Sequence, residues 1–406
     1  MTERERRQRI IDHLRAGEAQ HAADELAGSC EPYPGDGTLH HAIGLAFASD
    51  GTLGLAREQL EAAAELSPDS AAILADLAQV CLAQGKAEDA LETAEQAIEL
   101  DSDLAIAHFT VGRACLAAAC ARQARHASHR EPGFEFPVID GKAPLYLRAV
   151  REMESALYAA PPFVGAIRTA LAFAYVRAGH FHAAVDQLQE HLDELPPSEE
   201  SDRVAERLRS VEYEIAREAY WSALTAETDR RTSAAMPVGE PEALLRLAHT
   251  HAVAGDETAL TEALAKARAA GYEPRPAIVS RSEGRDEFFR QVSDVHLLLG
   301  GGLECILDGK LRFLPFGELE AITMGPVSPW RVAQVQLTSG DSHEVAVPIL
   351  YRLSLRSPND LIQSGRFTQF KYGAGETRYA RTIGTRNLAT EQRVIPFTEV
   401  KSIVFT

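Results

Sequence analysis

The sequence has few cysteines, no long apolar run and no leader-like start. Its 5 cysteines are scattered among 406 residues and odd in number, which suits reduced thiols better than a disulfide framework. The longest uncharged apolar segment, 114–121, falls well short of the roughly 18 residues that span a membrane. Charged residues fill 3–7 without an apolar stretch behind them, which argues against a secretory signal. We therefore expect a cytoplasmic protein without membrane insertion.

Positive charge is also scarce. The 41 Lys and Arg against 59 Asp and Glu give a net charge of -18, which repels phosphate backbones and argues against nucleic-acid binding. The deficit lies in residues 1–300, with 29 basic and 49 acidic residues, whereas 301–406 hold 12 and 10. The last 106 residues also contain 10 of the 27 aromatic residues. Helices are expected first and strands afterwards.

The helical part repeats with a period of 34 residues. Small residues recur at repeat positions 8, 20 and 27, as Gly44, Ala56 and Ala63 and then as Ala78, Ala90 and Ala97. This is the tetratricopeptide pattern, in which each unit is a pair of antiparallel helices that must stack on its neighbours to bury its apolar face. The pattern predicts an all-α solenoid over 1–198.

Two further features interrupt or extend this solenoid. The second helix of the fourth unit arrives 25 residues late, which predicts an insertion at about 119–143. Residues 199–300 are predicted to hold a long amphipathic capping helix, a further helical repeat pair at 241–274, and a connector with one short helix at 275–300.

From residue 301 the apolar period becomes two, with turn signals such as Asp308-Gly309. Trp330 and Phe316, beside proline-bounded turns, are expected to be buried. Strands are predicted at 303–307, 310–314, 320–324, 332–337, 344–349, 366–372, 378–384 and 402–405. The predicted fold class is multidomain α+β, with the solenoid followed at 301–406 by a small antiparallel β-rich domain, either a curled sheet or barrel-like.

Short motifs follow one another in a fixed order through this β-rich region. They are Asp308-Gly309-Lys310, Leu314-Pro315-Phe316, Trp330 with Ala333, Val347-Pro348 with Tyr351, Gly365-Arg366, Gly384 with Arg386, and Ile395-Pro396-Phe397 with Val400. In these motifs the region resembles the ImpE or TagJ-like accessory proteins of bacterial type VI secretion. The resemblance covers about a quarter of the chain. It implies a non-catalytic role, with helical repeats ahead of the domain and with the contractile sheath and the hexameric ATPase that recycles it as partners.

The motifs of common enzymes are missing. The sequence has no Gly-x4-Gly-Lys-Ser/Thr loop and no Gly-x-Ser-x-Gly turn. Three histidine pairs lack Cys or carboxylate companions at ligand spacing: 126/129, 180/182 and 249/251. We expect no catalytic, cofactor-binding or metal-binding residues and no enzymatic activity. Two alternatives stay open, a tetratricopeptide scaffold outside secretion and an enzyme domain at 301–406 with Asp360, Arg366 and Arg386 as its polar candidates.

A binding groove is predicted from repeat positions 2, 5, 9, 12 and 13, which the first helix of each unit turns toward the concave side. These positions hold His41, Leu45, Gln79, Leu82, Phe109, Arg113, Leu116, Thr169, Phe173, Val176 and Arg177. The lining is apolar with two arginines, which favours an amphipathic helix carrying one or two acidic residues. An alternative is that Phe109 and Phe173 pack against the insertion or the helix after 199. The sequence therefore predicts a protein-protein interaction adaptor.

Overall fold

The computed structural model divides the chain into two units. The amino-terminal unit comprises Met1–Arg125 and Asp140–Ala174, and the carboxy-terminal unit contains Tyr175–Thr406. The structure describes residues 3–27, 36–128, 143–229, 247, 257–283, 285–294, 301–328, 330–351, 354, 369–372, 380–383 and 386–406. Within these ranges no helix combines the length and hydropathy that crossing a membrane requires.

The amino-terminal unit is a series of helix hairpins, which confirms the predicted repeats. The first and second helices alternate as α1 (Glu3–Arg15), α2 (Ala19–Ala27), α3 (Asp36–Ser49), α4 (Leu53–Leu66), α5 (Ala71–Ala83), α6 (Ala87–Leu100), α7 (Ala105–Ser128) and α8 (Pro144–Tyr158). The next helix, α9 (Val164–Ala178), begins in this unit. Gly17, Gly51 and Gly85 follow successive first helices with φ of 76°, 75° and 78°. Glycine takes this left-handed conformation without the steric cost that a side chain brings, so the 34-residue spacing fixes where each hairpin turns.

The small residues of the repeat are required by close helix packing. A Cβ atom added at Gly44 would lie 2.7 Å from Cγ of Leu60, and one at Gly112 would lie 2.6 Å from Cγ of Met153 and 3.0 Å from the carbonyl oxygen of Ala149. At Gly44 and Gly112 the first and second helices therefore approach more closely than alanine permits without a shift.

The predicted insertion begins within a helix. α7 continues to Ser128, so the first part of the 119–143 segment extends a first helix, while 129–142 lies outside the described residues. Ala149, Met153 and Ala156 of α8 are fully buried. Their burial confirms that the fourth repeat resumes where its small and apolar residues predicted.

The carboxy-terminal unit begins with helices and continues into the sheet. Its helices are α10 (Phe181–Glu194), α11 (Glu199–Asp229) and α12 (Glu257–Ala267), the last followed by a π-helical turn at Arg268–Tyr272. α11 confirms the long helix predicted from residue 199. Of the pair predicted at 241–274, α12 supplies the second helix, and the first falls largely outside the described residues.

Strands form a ten-stranded antiparallel sheet and a separate hairpin. The hairpin joins β8 (Gln369–Tyr372) and β9 (Ala380–Ile383). The sheet has the order β11-β10-β2-β1-β12-β5-β6-β7-β3-β4. Its strands are β1 (Arg275–Arg281), β2 (Glu287–Asp294), β3 (Gly302–Leu307), β4 (Lys310–Pro315), β5 (Leu319–Met324), β6 (Trp330–Leu337), β7 (Ser342–Pro348), β10 (Asn387–Thr390), β11 (Val394–Pro396) and β12 (Val400–Phe405).

The eight predicted strands all exist, but the helix expected in the 275–300 connector was wrong. β1 and β2 occupy much of that segment and pair with each other, and β1 also pairs with the last strand, β12. β10 and β11 were not predicted either. These strands are short or begin and end on charged residues, so their local pattern is weak. In addition, β1 pairs with β12 and β2 pairs with β10, partners that are distant in sequence.

The sheet is curled around a single apolar core. Leu388 of β10, near one end of the strand order, shares this core with Leu303 and Cys305 of β3, near the other end, and with Val335 of β6 between them. The Asp308-Gly309 turn joins β3 to β4 with φ of 51° and 70°, as its sequence predicted. Phe316 and Trp330 are 1% and 5% exposed, which confirms their predicted burial.

α11 covers the outer face of the sheet over β3, β4, β6 and β7. The Tyr213 ring lies 5.4 Å from that of Trp330, and the Tyr220 ring lies 5.4 Å from that of Phe313, measured between centroids. β3 is thereby buried on both faces. Glu304, which alternates with the inward-facing Leu303 and Cys305, consequently lies in the interior at 1% exposure.

Arg217 of α11 joins the helix to the sheet through this buried carboxylate. Its Nε and Nη2 donate to the two oxygens of Glu304 over 2.8 and 2.9 Å, and Nη2 also donates to the carbonyl oxygen of Leu350 over 3.2 Å. Nη1 donates to Glu214 over 3.2 Å, and Glu214 also accepts a bond from Nε1 of Trp330. A bidentate guanidinium–carboxylate pair fixes orientation as well as distance.

The neighbouring carboxylates keep the buried guanidinium of Arg217 protonated. Burial lowers the pKa of Arg217, but the carboxylates of Glu304 and Glu214 outweigh that effect and leave the pKa above its ordinary value. Burial also raises the pKa of Glu214, although Arg217 opposes the shift. The interior therefore holds a permanent cation that the carboxylates of Glu304 and Glu214 contact and balance. Glu304 also lies 3.8 Å from the buried guanidinium of Arg386.

Replacing one partner of this pair should destabilise the carboxy-terminal unit. Glu304→Gln keeps the shape of the side chain but removes the charge opposite buried Arg217, and we expect a loss of about 3–5 kcal/mol in the free energy of unfolding. Both tryptophans, at 221 and 330, belong to this unit, so urea unfolding followed by tryptophan fluorescence measures the loss.

The control for this variant is Glu199→Gln, which breaks the exposed Arg203–Glu199 pair on the same helix. Its effect should stay below about 0.5 kcal/mol. Equal effects of the two substitutions would show that the buried pair does not hold α11 to the sheet.

Candidate protein-binding surface

The residues predicted to line the groove separate into three classes of exposure. Leu45, Arg113 and Phe173 are exposed, and His41, Gln79, Leu82 and Thr169 are half-buried. Phe109, Leu116, Val176 and Arg177 are buried. Val176 and Arg177 lie in the carboxy-terminal unit, and the other nine lie in the amino-terminal unit. The exposed and half-buried members of the amino-terminal unit are named here the first-helix surface, because they lie on α3, α5, α7 and α9.

A polar network crosses this surface between adjacent repeats. Nε2 of His41 on α3 lies 2.7 Å from Oδ2 of Asp76 on α5, and Nε2 of Gln79 donates to Oδ1 of Asp76 over 3.0 Å. Asp76 was absent from the predicted lining, although it stands three residues before Gln79 and so shares its helix face. The network fixes the side chains of two neighbouring first helices relative to each other.

The first-helix surface also carries exposed apolar side chains and a cationic side chain. Leu45 lies four residues beyond His41 on α3 and is 42% exposed, and Phe173 on α9 is 47% exposed. The guanidinium carbon of Arg113 lies 5.6 Å from the ring centroid of Phe109, within the range of a cation–π contact. The first-helix surface therefore carries both exposed apolar side chains and a positive charge.

Phe109 belongs to the interior of the amino-terminal unit. Its ring is 9% exposed and lies 6.0 Å from the ring of Phe163, the residue before α9. Phe163 supplies this contact among the described residues. Residues 129–142 of the insertion lie outside them, so packing of Phe109 or Phe173 against the insertion stays a prediction. Two phenylalanines predicted to line the same groove thus differ, since Phe173 reaches solvent and Phe109 is buried beneath the surface.

Arg386 is the one polar candidate for an enzyme site that lies in the described residues, and it has structural partners. Arg386 is fully buried, donates to the carbonyl oxygen of Glu304 over 3.3 Å and lies 4.8 Å from the ring centroid of Phe397. Asp360 and Arg366 lie outside the described residues. Arg386 therefore acts as a support for the sheet.

Hydrogen bonds from Arg331 fix the backbone that follows the Ile395-Pro396-Phe397 motif. Its Nη1 donates to the carbonyl oxygens of Phe397 and Val400 over 2.6 and 2.9 Å, and Nε donates to that of Gly325 over 3.0 Å. Burial lowers the pKa of Arg331. These bonds hold the turn between β11 and β12 against β6.

The cysteines in the described residues are buried: Cys81, Cys115, Cys120 and Cys305. Burial raises the pKa of the Cys81 and Cys115 thiols, which disfavours the nucleophilic thiolate. Both thiols therefore pack in the interior of the helical repeats.

These observations define a tetratricopeptide-repeat protein that carries a curled antiparallel sheet at its carboxyl end. Residues 47–110 match the family model of the tetratricopeptide repeat, and residues 286–404 match that of the ImpE protein. The ImpE match begins at β2, well before the boundary predicted at 301. The chain thus combines helical repeats with a region that matches the ImpE family model, as the motifs predicted.

Several solved structures are similar to parts of the chain. Protein VPA1032 from Vibrio parahaemolyticus is 18% identical, with 64% of this chain and 94% of that chain covered and a TM-score of 0.47. MamA from Desulfovibrio magneticus RS-1 is 16% identical over 47% of this chain and 93% of its own, with a TM-score of 0.36. PilW, a type IV pilus biogenesis factor, is 14% identical over 65% and 91%, with a TM-score of 0.35. No curated protein sequence matches significantly.

The different burial of the two phenylalanines predicts different effects on stability. Phe109→Ala should lower the free energy of unfolding of the amino-terminal unit by about 3–5 kcal/mol, because it empties a buried ring site. Phe173→Ala should cost about 1 kcal/mol or less, because nearly half of that ring is already in water. Urea unfolding followed by helical circular dichroism compares them, and equal losses would contradict the assignment of Phe109 to the interior.

Proposed function

We propose that the protein is a non-enzymatic adaptor that holds a protein partner on the first-helix surface. The observation that carries the proposal is that Leu45, Arg113 and Phe173 are all exposed on first helices of repeats whose second helices complete the core. Tetratricopeptide repeats present their first helices to partners along an extended concave surface. An aliphatic side chain, an aromatic side chain and a guanidinium exposed on the same set of first helices suit a ligand that has an apolar side and an acidic group.

That ligand is an amphipathic helix. Its apolar side would contact Leu45 and Phe173, and an acidic side chain would reach the guanidinium of Arg113. The His41–Asp76–Gln79 network offers further hydrogen-bonding atoms to polar groups at the edge of such a helix. Anchors spaced along one helix face are the usual means by which grooves recognise helices. Phe109 and Leu116 are buried, so they do not contact a ligand directly. Their role is to pack beneath the first-helix surface.

The ImpE domain directs the proposal toward type VI secretion. The match over 286–404 supports an accessory role, and the family resemblance makes the contractile sheath subunit and the hexameric recycling ATPase the partners to test. This chain is proposed to work in the cytoplasm.

A carboxylate introduced at an apolar position of the first-helix surface should abolish most of the binding. Leu45→Asp places a carboxylate where the apolar side of the partner helix would lie, and we expect affinity for the true partner to fall tenfold or more, as for a central anchor. The affinity of the full-length protein for purified sheath subunit and for purified ATPase, both from the bacterium that encodes it, is measured by titration calorimetry.

The matched control is Leu66→Asp. Leu66 belongs to the same repeat and is 45% exposed, close to the 42% of Leu45, but it lies on the second helix α4. Its affinity should stay within about twofold of the unchanged protein. Equal losses in the two variants would remove the first-helix surface as the binding site, and absence of binding to both proteins would overturn the secretion assignment.

A further inference from the structure

Three side chains of metal-ligand type converge at the turn between α1 and α2. His13 lies in the last turn of α1, Glu18 directly precedes α2, and His21 lies in the first turn of α2. Nδ1 of His13 is 2.7 Å from Oε2 of Glu18, and Nδ1 of His21 is 3.6 Å from the same oxygen. One ligand atom from each residue lies within 4.8 Å of the other two. These three residues are called the turn trio.

The backbone that carries the turn trio is fixed by the repeat itself. Gly17 turns the chain with a φ of 76°, and the amide of Glu18 donates to the carbonyl oxygen of His13 over 2.9 Å. Ile10 of α1 and Leu26 of α2 are buried in the same apolar core. The two helices therefore hold the three Cα atoms in place, and only side-chain torsions remain to be adjusted.

The donor set and its spacing suit zinc. Two imidazoles and one carboxylate are a common set of three protein ligands for Zn²⁺, which accepts bonds of about 2.0–2.2 Å from nitrogen and oxygen in a tetrahedron. Those lengths place neighbouring ligand atoms roughly 3.3 Å apart. The two separations from Glu18, 2.7 and 3.6 Å, lie on either side of this value. The ligand nitrogens of the two imidazoles, which lie within 4.8 Å of each other, would have to come to about the same separation for an ion to bind.

A simple hydrogen bond explains only part of the arrangement. The bond from His13 to Glu18 would close the turn without help, yet His21 directs a second imidazole nitrogen toward the same carboxylate oxygen. Nearby guanidinium groups are engaged with other carboxylates: Arg9 contacts Glu25 at 2.6 Å, and Arg15 lies 3.7 Å from Asp12. The side chains of the turn trio are 33%, 47% and 67% exposed, so a dissolved ion can reach them.

We infer that the turn trio binds one Zn²⁺ ion at the amino-terminal end of the repeats. The ion would join α1 to α2 through His13, Glu18 and His21 and thereby stabilise the first hairpin. Three protein ligands leave one tetrahedral position for water or for a side chain of another molecule. This site is independent of the first-helix surface and of the proposed partner.

The test is Zn²⁺ titration of the full-length, chelator-treated protein by calorimetry. The unchanged protein should bind one Zn²⁺ at the turn trio with micromolar or tighter affinity. Glu18→Gln and the double variant His13→Gln with His21→Gln should each weaken this binding at least about tenfold. The control is His180→Gln with His182→Gln, a histidine pair that lacks a third ligand in the described residues and should leave the binding unchanged.

Cobalt substitution distinguishes the turn trio from cysteine sites. Co²⁺ bound to imidazole and carboxylate gives weak visible absorption without the intense sulfur-to-metal charge-transfer band, and this absorption should disappear in the double variant. Helical circular dichroism establishes that the variants remain folded. Lack of Zn²⁺ binding by the unchanged protein, full retention of binding by the double variant, or a spectrum dominated by thiolate would each overturn the inference.

Discussion

The carboxy-terminal unit depends on one buried ion pair, Arg217 with Glu304. A guanidinium in the protein interior is tolerated only while its charge and its donors are matched, and Glu304, Glu214 and the carbonyl oxygen of Leu350 provide that match. The requirement ties α11 to β3, β6 and the chain after β7. A helix that the repeat pattern assigns to the end of a solenoid is therefore also the outer layer of the curled sheet.

The sequence predicts the repeats and most strands because their signals are local. A 34-residue period places glycine at each hairpin turn, and Asp308-Gly309 specifies its own hairpin. β1 and β2 escaped prediction because their stability comes from β12 and from each other, more than 100 residues apart for β1 and β12. The partner of Glu304 was equally hidden, since nothing near Arg217 in sequence marks it as a buried cation.

The candidate sites show the same division between local and distant information. Repeat position identifies which residues lie on first helices, but it does not distinguish exposed Phe173 from buried Phe109, whose cover is Phe163. The turn trio was missed because its spacing crosses a helix end. His13 lies on α1 and Glu18 lies on the turn before α2, and only the turn at Gly17 brings them together. Motif searches within one helix do not detect such sets.

We infer that α11 and the curled sheet unfold as one cooperative unit. Hydrogen–deuterium exchange of the intact chain in increasing urea tests it most directly, because amides in one cooperative unit lose protection together. Amides at 208–217 of α11 and 302–307 of β3 should become exposed at the same urea concentration. Loss of protection in α11 together with α3–α6, while β3 stays protected, would contradict the claim.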